Sequence, residues 1–301
     1  MDDCNILIEA PKAPLFEGGG PEGAGGCMRR RPMQEFGYPM FNAQCVMPLT
    51  NTIDLYPNML MDITVHRLGF GESVSFHLPD QELAIVLIEG EVQFDWDDGF
   101  APKMEQVRRP SCIDDPSYCL HVPKGVRVSV SDISSWEDKD SGKTSEILVQ
   151  STENKNSFEP KFYTPENTRR ETFGQGQFEG KAERTVTTFF DYESAPYSNM
   201  VCGEILIPQG GWSSYPPHEH PQPEVYYYRF GHPAGFGACF IDDNVYMIKD
   251  RSFAAIPGGK YHPQVNAPGY AMMYVWMIRH FDGYPWTERN FKPAHQWLLE
   301  G

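Results

Sequence analysis

The sequence lacks the features that mark several large classes of protein. None of its apolar runs approaches the length of about 18 residues that a membrane-spanning helix needs, so no transmembrane helix is expected. Its acidic N-terminus has no basic region followed by an apolar core, so no secretory signal is expected. Basic residues are scarce, because 25 Lys and Arg stand against 41 Asp and Glu and leave a net charge of −16. That field repels phosphate backbones, so the composition argues against a nucleic-acid partner.

The sequence also lacks the cysteine patterns that are typical of disulfide-bonded proteins. The seven cysteines include no Cys-x-x-Cys pair and show no regular spacing, and their number is odd. A chain of 301 residues with 40% apolar residues can form a core without disulfide bonds. We therefore expect reduced thiols in a cytoplasmic protein.

Long windows with helical periodicity are absent, whereas short alternating apolar runs recur. These runs are strand-length, rich in β-branched residues and bounded by Gly, Pro or Asp. The 27 Gly and 26 Pro fit a fold with many turns. The runs cover residues 63–68, 74–78, 83–88, 126–130, 147–149, 185–190, 203–207, 225–228 and 274–278. The pattern predicts an all-β protein with a sandwich or closed barrel in each half.

Two stretches interrupt this pattern. Residues 11–30 are rich in Gly and Pro, as in an irregular arm or a disordered segment. Residues 160–180 are polar and turn-rich, as is typical of a link between halves. We therefore divide the chain into an N-terminal arm (1–48), a first barrel (49–158) and a second barrel (159–301).

The strongest chemical signal lies in the second half. His218 and His220 are two residues apart, so on a strand both imidazoles face the same side. Glu224 has the same parity and returns to that side after a bend that contains two prolines. Two imidazoles and one carboxylate can then converge on a single metal ion.

The spacing around these residues resembles the two sequence motifs of cupin barrels. The first motif, His-x-His-x3-Glu-x6-Gly, ends at Gly231, and the second, Pro-x-Gly-x2-His-x3-Asn, runs from Pro257 to Asn266. Arg251 departs from the pattern, which usually has a glycine there. The resemblance implies a double-stranded β-helix, or jelly roll, with one metal ion. The ligands that it implies are His218, His220, Glu224 and His262.

This ligand set is compatible with several divalent ions. Imidazole suits Zn, Fe, Ni and Cu, and the carboxylate extends the range to Mn. Four protein ligands leave coordination positions open in a five- or six-coordinate shell, as a catalytic metal requires. We expect one divalent ion, with zinc as the first choice and Mn, Fe or Ni as alternatives.

The first half carries a weaker copy of the same template. His77 takes the first histidine position, but Pro79 and Leu83 replace the second histidine and the glutamate. Val128 stands in the place of the last histidine, while Gly90 closes the motif at the same spacing. We therefore expect a bicupin, with two barrels in tandem and no metal ligands in the first.

The chain further resembles the 5-deoxy-glucuronate isomerase family, bicupin isomerases of myo-inositol catabolism related to 5-keto-4-deoxyuronate isomerase. The resemblance extends from about residue 50 to residue 300 and rests mainly on residues 212–220, 224–230, 235–237, 256–263 and 267–270. Glu219 stands where the family usually has a lysine, and Pro221 to Pro223 replace an acidic run. The resemblance implies a metal-dependent aldose–ketose isomerase of a sugar acid, converting 5-deoxy-glucuronate into 5-dehydro-2-deoxy-gluconate. A small sugar acid is the expected partner, and a homo-oligomer is left open.

Such an isomerase needs a group that moves a proton and a cation that binds the substrate carboxylate. Strand parity places Tyr226 and Tyr228 on the inward face with Glu224, either as catalytic residues or as core aromatics. The candidate cations are Arg184, Arg229 and Lys260. Arg229 is an odd number of residues from Glu224, so its side chain is expected to point out of the barrel. A structural role is therefore the alternative for it.

Two other functions are compatible with the same motifs. Three histidines and a glutamate also hold Fe or Ni in cupin dioxygenases, which oxygen consumption by an iron-loaded sample would reveal. A non-enzymatic sugar-binding or storage-type bicupin is the other alternative. The complete ligand set of the second half argues against a storage protein, since storage-type cupins commonly lose these ligands.

Overall fold

The computed structural model describes residues 6–8, 35–97, 99, 101–135 and 142–300. Strands dominate this part of the chain, and its helical content is confined to two 3₁₀ helices, Pro57–Met59 and Pro293–Leu299. The predicted all-β class is therefore confirmed. Among these residues no helix has the length and apolar character needed to cross a bilayer.

Except for residues 36 and 37, which pair with a strand of the second half, the strands of the first half form two layers. They are β1 (Ile6–Ile8), β2 (Phe36–Gly37), β3 (Val46–Thr50), β4 (Asp62–Leu68), β5 (Ser73–His77), β6 (Gln81–Asp97), β7 (Pro102–Arg109), β8 (Tyr118–Val122), β9 (Arg127–Asp132), β10 (Ser145–Glu153) and β11 (Lys161–Tyr163). One layer holds β3, β4, β10, β8, β11 and the beginning of β6. The other holds β1, β5, β9, β7 and the end of β6. Apolar side chains from both layers form one buried cluster, which is the core of the first barrel.

Strand β6 passes from one layer to the other at Gly90. Before Gly90 it pairs with β8 and β10, and after it with β7 and β9. The backbone there has φ 124°, which favours glycine, and an added Cβ would lie 2.5 Å from the Cα of Ser145. The crossing therefore requires glycine for both its conformation and its close approach to β10.

We expect Gly90→Ala to destabilise the protein by about 3 kcal/mol or more, since it combines backbone strain with overlap in a packed region. Gly71→Ala is the matched control, because Gly71 has φ 71° but open space around its Cβ position. The control should cost about 1–2 kcal/mol. Urea denaturation of both variants measures the difference, and equal losses would contradict the role given to the contact with Ser145.

The second half repeats the two-layer arrangement. Its strands are β12 (Arg169–Phe173), β13 (Arg184–Phe190), β14 (Met200–Ile207), β15 (Trp212–Ser213), β16 (His218–Glu219), β17 (Glu224–Phe230), β18 (Phe236–Ile241), β19 (Asn244–Lys249), β20 (Phe253–Ile256), β21 (Gln264–Asn266), β22 (Met272–Arg279) and β23 (Asn290–Phe291). A large sheet has the order β12-β13-β14-β22-β17-β20-β2, and a smaller one has the order β15-β21-β18-β19. Strands β16 and β23 pair separately. The core between the two larger sheets is rich in aromatic residues.

A third buried cluster joins the two barrels. It contains side chains from β3, β4, β6 and β10 of the first half and from β14, β17, β20 and β22 of the second. On β17 the side chains alternate, because Val225 and Tyr227 belong to this cluster while Tyr226 and Tyr228 point into the second barrel. The large sheets are therefore buried on both faces, which explains why their strands read as nearly continuous apolar runs.

The strand boundaries refine the predicted division of the chain. The predicted arm covers residues 1–48, of which 1–5 and 9–34 lie outside the described residues. Residues 36 and 37 pair with β20 of the second barrel, and the first barrel's sheet begins at Val46. At the other boundary, Lys161–Tyr163 still pairs with β8, so that sheet extends past residue 158.

The structure also refines the expectation for the first barrel's weakened motif. Leu83 and Val128 lie in its apolar core, as expected for positions without ligands. His77 and Pro79 do not join them: His77 is half-buried on the outer face of β5 and Pro79 is exposed. The four template positions therefore do not share one site, because on β5 the inward residues are Val74 and Phe76.

The five cysteines among the described residues are free thiols, and four of them are buried.

Candidate metal centre

The centre is assembled from a strand end and a tight turn of the second barrel. His220 follows β16, Glu224 begins β17, and His262 lies in the turn that precedes β21. At Gly258 an added Cβ would overlap the carbonyl group of Pro221, so glycine lets this turn approach the histidine segment. Gly259 N donates to His220 O at 2.8 Å, which fixes the two segments against each other.

Three predicted ligands converge closely. Each of His220, Glu224 and His262 offers a ligand atom, and these atoms lie within 4.8 Å of one another. Glu224 Oε2 is 3.1 Å from His220 Nε2 and 3.2 Å from His262 Nε2. His218, the fourth predicted ligand, has its ring centroid 5.1 Å from that of His262. The side chains of all four residues are at least nine-tenths buried.

Backbone carbonyls hold the three imidazole rings in one orientation. His218 Nδ1 lies 3.1 Å from Pro216 O, His220 Nδ1 3.0 Å from Gln222 O, and His262 Nδ1 2.7 Å from Lys260 O. Since a carbonyl oxygen only accepts, each Nδ1 carries the proton and each Nε2 keeps a lone pair. His262 Nε2 is buried and has no hydrogen-bond partner among the described residues. This orphaned nitrogen and the shared tautomer fit metal ligation, in which Nδ1–H donates to a carbonyl and Nε2 binds the ion.

The charge state of the centre also suits a cation. Burial would raise the pKa of Glu224, but the neighbouring imidazoles of His220 and His262 outweigh this effect, so its pKa is lowered. Burial lowers the pKa of His218, and the neighbouring side chains of His262 and Arg289 lower it further. The centre therefore offers a carboxylate and a neutral imidazole.

A pocket opens onto this centre and has a mixed wall. Among its lining residues are His218, His220, Glu224 and Tyr226, together with Trp276 and Trp286. Three arginines also line it: Arg169, Arg184 and Arg289. The ring of Trp286 lies 5.9 Å from that of His220 in an edge-to-face contact. The pocket therefore joins the candidate metal ligands to a cationic, aromatic wall.

Comparison with known proteins identifies the chain. A model described as the KduI/IolB family matches residues 42–298. The chain belongs to the KduI/IolB family. A 5-deoxy-glucuronate isomerase of Geobacillus kaustophilus is 25% identical over 256 residues, covering 78% of this chain and 84% of that protein. The protein of the same name from Bacillus subtilis strain 168 is 29% identical over 141 residues, covering 42% of this chain and 50% of that protein.

Solved structures share the fold of this chain. An IolB-like protein from Salmonella typhimurium LT2 superposes with a TM-score of 0.68 at 20% identity, over 79% of this chain and 90% of that chain. An oxalate decarboxylase from Lactobacillus farciminis gives a TM-score of 0.58 at 12% identity, over 85% of each chain. The predicted bicupin fold is confirmed, as are the resemblance to the 5-deoxy-glucuronate isomerase family and the expectation of an isomerase.

Within this KduI/IolB family chain, the tyrosines predicted as catalytic occupy different depths. Tyr226 lines the pocket, and its hydroxyl lies 3.1 Å from Ser214 Oγ. Tyr228 lies deeper, where its hydroxyl donates to Gln264 Oε1 at 2.6 Å. Burial raises the pKa of both phenols, so both stay protonated. The strand parity that selected them is observed, and it is Tyr226 that reaches the pocket.

Of the cations predicted to bind substrate, only Arg184 lines this pocket. Arg229 lies on the opposite face of β17, because its parity directs it toward the first barrel. There it pairs with Glu146 at 2.7 Å, Glu89 at 2.9 Å and Asp250 at 3.0 Å. Lys260 turns outward to Asp242 at 2.8 Å, although its carbonyl oxygen orients His262. The structure thus corrects the placement of Arg229 and Lys260, which contribute to packing and to ligand orientation.

Sequence reasoning missed Trp286 and Arg289. Both lie in the segment after β22, which returns across the mouth of the second barrel when β23 pairs with β16. Lys292 N donates to Pro217 O at 2.8 Å and fixes this return. The segment has no motif and little alternation, so only its aromatic and basic residues near the chain end could have pointed to it.

Proposed function

We propose that the chain is a metal-dependent aldose–ketose isomerase of the cytoplasm. It would convert 5-deoxy-glucuronate, a six-carbon aldehyde sugar acid, into 5-dehydro-2-deoxy-gluconate during myo-inositol catabolism. The observation that carries the proposal is the convergence of His220, Glu224 and His262 beside a pocket that His220 and Glu224 line. It occurs within a family whose curated members bear the name of this isomerase. The arginines of the pocket wall support an acidic substrate.

The proposed reaction moves a proton between adjacent carbons through an enediol, and negative charge develops on the substrate oxygens. His220, Glu224 and His262, joined by His218, would hold one divalent ion. Bound there, the ion would lower the cost of that negative charge. Zinc is the first choice for this ligand set, with Mn, Fe and Ni as alternatives.

The surrounding side chains would handle the proton and the substrate. Tyr226 presents a protonated hydroxyl to the pocket, where it can hold or donate a proton at a substrate oxygen. Tyr228 lies behind it, with the two rings 6.1 Å apart, and orders this wall through Gln264. The indole rings of Trp276 and Trp286, 5.7 Å apart, form an aromatic part of the pocket wall.

Metal analysis of the purified protein, combined with an assay on 5-deoxy-glucuronate, tests the proposal. We expect about one equivalent of a divalent ion per chain, conversion to the keto isomer, and loss of activity after chelation. Restoring activity with single ions would identify the metal. Oxygen consumption by an iron-loaded sample should remain absent. A metal-loaded protein that is inactive on this compound and on related uronates would contradict the proposal, and oxygen uptake would point to a dioxygenase.

A further inference from the structure

The two arginines at the mouth of the pocket differ from most arginines of the described chain. Arg169, the third arginine of the pocket, pairs with Asp191 and Glu171. Arg184 and Arg289 form no ion pair with any carboxylate among the described residues, whereas most of the described arginines do. Both line one pocket of a protein with a net charge of −16. Their charges therefore remain available to an anion in the pocket.

The fold holds Arg184 in place without neutralising it. It is half-buried at the start of β13, and its Nη atoms donate to Ala182 O at 2.8 Å and to Tyr215 O at 3.1 Å. These acceptors are neutral carbonyls, and a guanidinium has further N–H groups to offer. Arg289 lines the same pocket, so the two guanidinium groups share one ligand-sized space.

The return of the C-terminal segment brings Arg289 to the same place. Asn290 pairs with Glu219 in the antiparallel ladder of β16 and β23, and its Nδ2 donates to Glu219 Oε1 at 2.8 Å. Arg289 directly precedes this ladder and lines the same pocket as His220. Its guanidinium lies 6.0 Å from the ring centroid of Trp286. Arg289 is exposed and lines the pocket, so an entering anion can contact its guanidinium group.

We propose that Arg184 and Arg289 together bind the carboxylate of the substrate, so that the site selects sugar acids over neutral sugars of the same shape. This inference rests on the proposed function, which supplies a sugar acid as substrate. Planar guanidinium groups match a carboxylate in charge and geometry. The carboxylate would be held at the mouth of the pocket while the other end of the sugar faces His220, Glu224 and His262.

Binding of D-glucuronate and its neutral isostere D-glucuronamide to the full chain, measured by isothermal titration calorimetry, tests the inference. We expect the wild type to bind the acid about tenfold or more tightly than the amide, as for a charge-assisted pair. Arg289→Gln should abolish this preference and leave the affinity for the amide unchanged. Arg289→Lys should retain part of the preference. Because Arg289 is exposed, its replacement should not disturb folding.

Arg170→Gln is the matched control, since Arg170 is an exposed arginine on β12 outside the pocket lining. It should keep the full preference for the acid. The inference would be overturned if the wild type showed no preference, if Arg289→Gln retained it, or if that variant lost both ligands equally.

Turnover of 5-deoxy-glucuronate separates the two proposals. An inactive wild type with an Arg289-dependent preference refutes the reaction alone, and an active Arg289→Gln with unchanged KM refutes the arginine pair alone.

Discussion

Replacing His262 with alanine is expected to abolish isomerisation and most metal binding while leaving the barrel folded. His262 Nε2 is buried without a hydrogen-bond partner and lies 3.2 Å from Glu224 Oε2. Removing the imidazole therefore deletes a nitrogen lone pair that a metal ion would bind. Changes in residues that merely orient metal ligands cost about 10- to 100-fold in affinity or activity. Loss of a ligand should therefore lower activity by more than about 100-fold.

Glu224→Gln provides a second test of the same centre. It keeps the size of the side chain but removes the carboxylate whose pKa the two neighbouring histidines lower. We expect it to match His262→Ala in activity and metal content, with a circular dichroism spectrum close to that of the wild type. His232→Ala is the control, because His232 is exposed and lies outside the pocket lining. Full activity in a metal-free variant would remove the metal from the mechanism.

Replacing Arg109 with methionine is expected to destabilise the protein by about 3–5 kcal/mol. Arg109 reaches from β7 to Glu204 on β14, with Nη1–Oε1 at 2.6 Å and Nη2–Oε2 at 2.9 Å. It also donates to the carbonyl oxygens of Leu87 and Cys112. Both side chains of the pair are almost fully buried, at 2% and 6% exposed. Without the arginine, the carboxylate of Glu204 stays buried between the barrels with no cation.

Two further variants identify the cause of that loss. The double variant Arg109→Met with Glu204→Leu should recover most of the stability, because it removes the unpaired charge as well. Arg108→Met is the matched control, since Arg108 is 68% exposed in its pair with Glu91. The control should cost less than about 1 kcal/mol. Urea denaturation gives all three values, and a loss at Arg109 no larger than at Arg108 would show that the inter-barrel pair contributes little.

The strands and the convergence of His220, Glu224 and His262 could largely be predicted from the sequence. Alternating apolar residues predict β4, β5, β13 and β14, because a strand exposes its two faces with a period of two residues. The same parity predicts that His218 and His220 face one side and that Tyr226 points inward. It also leaves open the structural role that Arg229 has. The template position of His77 predicts an inward side chain, but His77 faces outward. The template was aligned on spacing alone, without regard to which residues of β5 are apolar.

The tertiary structure alone decided what surrounds the ligands. Nothing near Arg289 in the sequence indicates that the segment crosses the barrel mouth, because that position depends on the pairing of β23 with β16, about 70 residues earlier in the chain. Likewise, the face of β17 that carries Arg229 is covered by the first barrel rather than by solvent. The period of a strand is set locally by the geometry of the backbone, so the sequence states it directly. The partner that covers each face is set by packing between distant segments, and local pattern does not specify it.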